Sequence, residues 1–353
     1  MSKRIKLILL TLLVYGVPAI LWSIMPYSKN LWGTIGNSFI FNLLFYGKTV
    51  FFPMGIIFDV ILLYCLFILL YKKEINLENE RVYLISSGVK KIVKWIFIDR
   101  IKKELLISKE EKISILFYLV KIYFTPVMLN FLINNVHSLM GSYSAISILY
   151  TKKALITAEN ISKIYASLIL YIILSIDTFI FSLGYLFESS KLKNVVKSVE
   201  PTAFGWLIAV ICYPPINGLS GDVLGWYTSD FGDFGNVKIN ITMSVLSILL
   251  FMVYLWATVA LGLKSSNLTN RGIVYKGPYK YVRHPAYAAK NLSWWIMGVP
   301  FIAKYGLIAI ISLIAWSAIY FLRALTEERH LTQDPDYVEY TKKVKYMFFP
   351  GIF

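Results

Sequence analysis

Apolar runs long enough to cross a bilayer, which takes about 20 residues each, alternate along this chain with short charged segments. The first follows Met1-Ser2-Lys3-Arg4-Ile5-Lys6 and continues to Met25. It lacks a small-residue cleavage site and further runs follow it, so it reads as a retained helix rather than a signal peptide. Further spans are predicted over residues 50–71, 113–134, 166–187, 203–219 and 239–263. Pro214-Pro215 should break the fifth or end it early, since proline removes a helical hydrogen bond and clashes with the preceding turn. The last apolar stretch, 288–322, is too long for one span, and Gly298-Val299-Pro300 near its middle reads as the turn of a helical hairpin. The pattern predicts an all-α, polytopic transmembrane protein of about eight spans.

The polar segments refine this reading. Within the charged segment 72–112, Val89, Ile92, Val93 and Ile96 recur at helical spacing beside Lys90, Lys91 and Lys94, with Trp95 and Phe97 following. Such a helix lies on a membrane surface; an ordinary connecting helix is the other reading. Residues 220–237 are Gly-rich and carry Asp222, Asp230 and Asp233. Three charges fall inside predicted spans: Asp59, Lys121 and Asp177. Each costs about 2.5–3.5 kcal/mol at a helix centre, so Lys121 is expected to pair with at least one aspartate.

Composition supports the membrane assignment, with 57% hydrophobic and only 16% charged residues. The net charge of +16 does not point to nucleic acid, because the basic residues flank apolar helices, where they set topology and contact anionic lipid. With a cytoplasmic N-terminus, alternation places most of the 36 Lys and Arg on that side, together with residues 264–290 and the C-terminal segment. Both Cys65 and Cys212 lie in apolar runs, so neither a disulfide framework nor a metal site is expected.

Chemistry-bearing residues concentrate near the end. Gly277-Pro278-Tyr279-Lys280-Tyr281-Val282-Arg283-His284-Pro285-Ala286-Tyr287 precedes the predicted hairpin, and Arg323-Ala324-Leu325-Thr326-Glu327-Glu328-Arg329-His330-Leu331 follows it. With the closing Tyr337, Tyr340, Val344 and Pro350-Gly351, this pattern resembles the isoprenylcysteine carboxyl methyltransferase family, part of a wider group that includes phospholipid N-methyltransferases. The resemblance covers about 240–353; residues 1–237 carry no motif of the family. Two regions are therefore expected: 1–237, transmembrane with the charged segment 72–112, and 238–353, a methyltransferase-like membrane domain.

What the resemblance implies is an integral-membrane S-adenosyl-L-methionine-dependent methyltransferase acting on a lipid-like acceptor, with an isoprenylcysteine-like carboxylate as the first candidate. Its cofactor pocket would face the cytoplasm of a bacterial inner membrane or the endoplasmic reticulum. By position, Arg271-Gly272-Ile273-Val274 would line the cofactor, joined by Tyr279, His284, Pro285, Ala286, Tyr287 and Glu327. Arg323 would face the substrate and act in catalysis, with Trp294 also on the substrate side. Arg323 and Glu327 are four residues apart, so one helical face carries both.

Other readings stand beside these. Tyr275, Tyr279, Tyr281, Tyr287, Trp294 and Trp295 could form an interfacial aromatic belt. Arg283, Lys276 and Lys280 read most simply as headgroup-level anchors. Ala289 stands where the family often has Gly, and Lys290-Asn291 puts a cation where an apolar wall suits a prenyl chain better. The acceptor therefore stays open, a phospholipid amine included. A sterol-type NADPH-dependent reductase shares the Arg-His-Pro, but Ala286 replaces its Asn. A non-catalytic lipid-binding scaffold is the non-enzyme alternative.

Overall fold

The computed structural model describes residues 2–24, 53–72, 75–99, 104–152 and 157–352. Met25 and the start of the expected 50–71 span lie outside the described residues. The chain divides into two compact units.

The first unit comprises residues 1–133 with 185–188 and 196–199. Its helix α1 (Lys3–Thr11) continues through a π-turn (Leu12–Gly16) into α2 (Val17–Ile24). Ser2 caps α1 by accepting from the Ile5 N–H at 3.3 Å, satisfying one of the donors a helix start leaves open. Then come α3 (Pro53–Leu70), α4 (Arg81–Lys94) and the first part of α5 (Lys109–Lys152). Leu7, Val14, Ile68, Val82 and Ile85 make a shared core. The expected apolar stripe of α4 is not its buried face. Val82, Ile85 and Gly88 point inward, whereas Val89 and Val93 stay 40% and 47% exposed, an apolar surface directly beside three lysines. Lys121 lies over rings, its ammonium 5.2 Å from Phe117 and 5.9 Å from Tyr15. Arg81 donates to Glu188 at 2.5 Å. Burial pushes the Glu188 carboxyl up, but Arg81 outweighs it and holds the group below its ordinary value.

The second unit comprises residues 134–184, 189–195 and 200–353. It holds most of α6 (Ala158–Leu186), followed by α7 (Ala203–Val210), α8 (Ile216–Leu224) and α9 (Val237–Leu261). Three more helices follow: α10 (Pro285–Tyr305), α11 (Leu307–Leu331) and α12 (Pro335–Lys343). Leu170 and Ile173 of α6 pack on Phe251 of α9. The Ser247 and Ser293 hydroxyls meet at 2.7 Å between α9 and α10. Trp294 of α10 packs with Leu313, Trp316 and Tyr320 of α11.

Two expectations change here. The hairpin turns at Gly306, not at Gly298-Val299-Pro300. Gly306 adopts φ +63°, a left-handed conformation that favours glycine. Pro300 is carried inside α10, and Gly298 provides close approach, since a Cβ there would meet Leu313 at 2.7 Å. Residues 203–219 break around Pro214-Pro215 as expected, but the pieces are the separate helices α7 and α8, of 8 and 9 residues, rather than one shortened span. At about 1.5 Å per residue, neither reaches across a hydrocarbon layer of about 30 Å. Among the described residues, six helices are long and apolar enough to span, against the eight or so expected.

Asp177 in α6 finds its partners within the second unit, accepting from Thr258 at 2.6 Å and Tyr254 at 2.9 Å. Near the end of the same helix, Gly184 lets the loop after α9 press against the backbone: a Cβ there would stand 2.6 Å from the Ser265 carbonyl oxygen. Backbone cannot yield as a side-chain tip does. Gly184→Val should therefore destabilise the protein by about 1–3 kcal/mol, read as a lower Tm in detergent. An unchanged Tm would show that helix and loop separate easily.

Candidate functional site

The loop between α9 and α10 is pinned before it contributes anything to a site. The α9 helix ends at Gly262, φ +55°. Arg271 is buried, and its Nη1 donates to the carbonyls of Gly184 at 2.7 Å, Asn194 at 3.3 Å and Leu263 at 3.4 Å. Buried carbonyls need donors, and one guanidinium serves three. Gly272 has φ +92°, and its N–H donates to Asn270 Oδ1 at 2.7 Å. Asn270 in turn donates to Asp334 at 2.8 Å. The strip 271–274 is thereby held along a cavity.

A second fastening ties the start of α10 to α11. Pro285 opens α10, where its missing N–H costs nothing. Arg283 donates to Glu328 through Nε at 2.6 Å and Nη2 at 3.3 Å. His284 Nε2 lies 3.1 Å from the same carboxylate. Arg283 also donates to the carbonyls of Val344 at 3.0 Å and Lys345 at 2.6 Å. The backbone N–H groups of Arg283 and His284 donate to Tyr346 and Met347. The segment after α12 thus runs alongside the motif, with Phe348 5.8 Å from the His284 ring.

The third set faces the cavity directly. Tyr287 donates to Glu327 at 2.8 Å, and its ring stacks on His284 at 5.4 Å and 12°. Arg323 is buried. Its Nη2 donates to Asn267 Oδ1 and, at 3.3 Å, to the Tyr213 hydroxyl. Its guanidinium lies 5.3 Å from the rings of Tyr213 and Tyr287 and 5.7 Å from Tyr320. Tyr279 completes the wall. Burial, and then the nearby Glu327 charge, push its phenol well above the ordinary value, so it stays a neutral hydroxyl. The cavity measures about 1140 Å³ counted out to its open mouth.

Of the residues expected at the site, Arg271, Gly272, Ile273, Val274, Tyr279, His284, Ala286, Tyr287, Arg323 and Glu327 all line this cavity. Two do not. Pro285 is buried in the first turn of α10, and Trp294 belongs to the α10–α11 core, since its position on α10 faces Trp316 and Tyr320 rather than the opening. Arg283 corrects its reading as a headgroup anchor: its side chain is 13% exposed and bound to Glu328. Tyr281, 62% exposed, fits the interfacial reading. Sequence reasoning passed over Glu328, Asn267, Tyr213, Tyr254 and Tyr320. Adjacent residues on a helix point about 100° apart, so the pair Glu327-Glu328 already implied two different environments; Asn267 and Tyr213 carried no local signal.

Fold and site together define an all-α protein with membrane-spanning helices and a polar, aromatic-walled cavity between helix ends. Residues 239–333 match the model of the isoprenylcysteine carboxyl methyltransferase (ICMT) family. That match covers the C-terminal third of the chain and indicates a membrane methyltransferase domain there. No curated protein matches the chain.

Glu328→Ala should strand both Arg283 and His284. Removing one member of a largely enclosed charge cluster costs about 3–5 kcal/mol, so Tm should fall further than for Glu327→Ala, whose carboxylate holds a single tyrosine hydroxyl. Equal Tm values for the two variants would contradict this division of labour.

Proposed function

We propose that this protein is an S-adenosyl-L-methionine-dependent membrane methyltransferase whose acceptor is a lipid-like molecule bearing a carboxylate, an isoprenylcysteine-like compound being the leading candidate. The observation that carries the reading is the pairing of Arg323 and Glu327. Four residues apart on α11, both line one cavity with His284 and Tyr287, inside the segment that matches the family. The basic flanks of 264–290 and of the C-terminal segment favour a cytoplasmic mouth, in a bacterial inner membrane or the endoplasmic reticulum.

The residues present suit the cofactor. Gly272, turned to φ +92°, brings bare backbone to the wall, and Ile273 and Val274 follow as an apolar strip. Glu327 supplies a carboxylate suited to an ammonium or to ribose hydroxyls. When bound, S-adenosyl-L-methionine supplies a methyl group already activated on a sulfonium.

The chain's own task is then positioning. Arg323 holds the acceptor carboxylate, and Asn267, Tyr213 and the surrounding rings fix the guanidinium that does so. A carboxylate acceptor is already anionic, so no side chain has to remove a proton. Holding the reactants in line can supply about 7–11 kcal/mol of the barrier, and an aromatic wall of low polarity strengthens each charge contact made against it.

Glu327→Ala should weaken S-adenosyl-L-methionine binding by about 1.5–3 kcal/mol, the worth of a hydrogen bond to a charged group, when measured by calorimetry on detergent-purified protein. Unchanged affinity would refute the cofactor assignment. Arg323→Ala should depress methyl transfer from a radiolabelled donor into a total lipid extract more than it depresses donor binding. Equal losses in both would make Arg323 structural.

A further inference from the structure

Lys290 is the residue of the cavity wall that the family resemblance leaves unexplained. It lies on α10 one turn beyond Tyr287 and lines the cavity. Its ammonium lies 5.3 Å from the Trp294 ring and 5.8 Å from those of Tyr254 and Tyr320. Tyr320 is also a neighbour of Arg323, at 5.7 Å, so the two cations flank one ring. Neither is within ion-pair distance of a carboxylate among the described residues. Two acidic groups lie near Lys290: Asp177, which accepts from the hydroxyls of Tyr254 and Thr258, and Asp230.

The charge balance of the wall points the same way. Lys264, Arg271, Arg283, Lys290 and Arg323 line the cavity, against the single carboxylate of Glu327. Even with Glu328, Asp177 and Asp230 counted behind the wall, five cations face four carboxylates, and a sulfonium donor adds to the positive side. Ring faces offset part of the desolvation of a cation, but an enclosed charge is best balanced by an opposite one. A cationic amine would meet repulsion here.

We propose that Lys290 and Arg323 form the headgroup site for an acceptor carrying two acidic groups, and that Lys290 sets this specificity. The proposal rests on the methyltransferase reading of the same cavity. Arg323 takes the carboxylate to be methylated, and Lys290 takes the second acid, a carboxylate or a phosphate. Lys290 here selects the acceptor and takes no part in bond making.

Purified full-length protein in detergent is tested for binding of N-palmitoylglycine (one carboxylate), N-palmitoylglutamate (two carboxylates) and N-palmitoyl-O-phosphoserine (a carboxylate and a phosphate). Wild type should bind the two-carboxylate or the phosphate amphiphile at least about tenfold more tightly than N-palmitoylglycine, a gap of about 1.4 kcal/mol. Whichever of the two it favours identifies the source of the second acid. In Lys290→Met that ratio should fall to within about twofold, and Lys290→Arg should keep it. No preference in wild type, or equal losses on all three amphiphiles in Lys290→Met, would overturn the assignment. Calorimetry with S-adenosyl-L-methionine separates the two readings. If wild type does not bind the donor, the methyltransferase reading fails. If it binds the donor but shows no preference that depends on Lys290, only the Lys290 assignment fails.

Discussion

Glu328 is the residue on which the site's architecture turns. Its carboxylate receives Arg283 through two nitrogens and lies against His284, so the start of α10 is fixed to the end of α11. Arg283 extends the same fastening to the carbonyls of residues 344 and 345, and the backbone beside it takes up Tyr346 and Met347. One charged cluster thus joins three stretches of chain around a cavity. Charged groups enclosed this deeply are costly unless each is answered by another, which makes the geometry specific rather than merely compact.

The same rule explains the wall. Arg323 is enclosed, yet its partners are an amide oxygen, a phenol and three ring faces rather than a carboxylate. Such neighbours orient a guanidinium without neutralising it, leaving its charge available to an acidic ligand. Arg271 is the contrasting case. Its guanidinium is given to the carbonyls of Gly184, Asn194 and Leu263, so it braces the loop beside the opening. Two arginines in one wall therefore have different work, and the difference lies in whether backbone or side chains meet them.

The first unit shows the same economy away from the cavity. Arg81 and Glu188 answer one another, and Lys121 rests on aromatic faces. On α4 the inward face is Val82, Ile85 and Gly88, leaving Val89 and Val93 exposed, as is Ile96 just beyond the helix. An apolar stripe beside lysines is what a helix lying on a membrane surface would present.

Hydropathy alone located the long helices, because an apolar run of about 20 residues has few alternatives in a chain this hydrophobic. The family resemblance named Tyr279, His284, Tyr287, Arg323 and Glu327 as companions, and a helical hairpin that returns the chain to the level it left brings them to one cavity. Pro214-Pro215 announced the break in 203–219, but the turn at Gly306 and the withdrawal of Trp294 into the core were not legible. They depend on which glycine meets a neighbour and which face of α10 turns inward. Asn267 and Tyr213 reach Arg323 from 56 and 110 residues away, a juxtaposition no local pattern encodes. Local sequence determined which segments leave water and which charges accompany them; only tertiary packing decided which partner each charge would meet, because a buried charge is satisfied by whatever the rest of the chain brings within hydrogen-bonding distance.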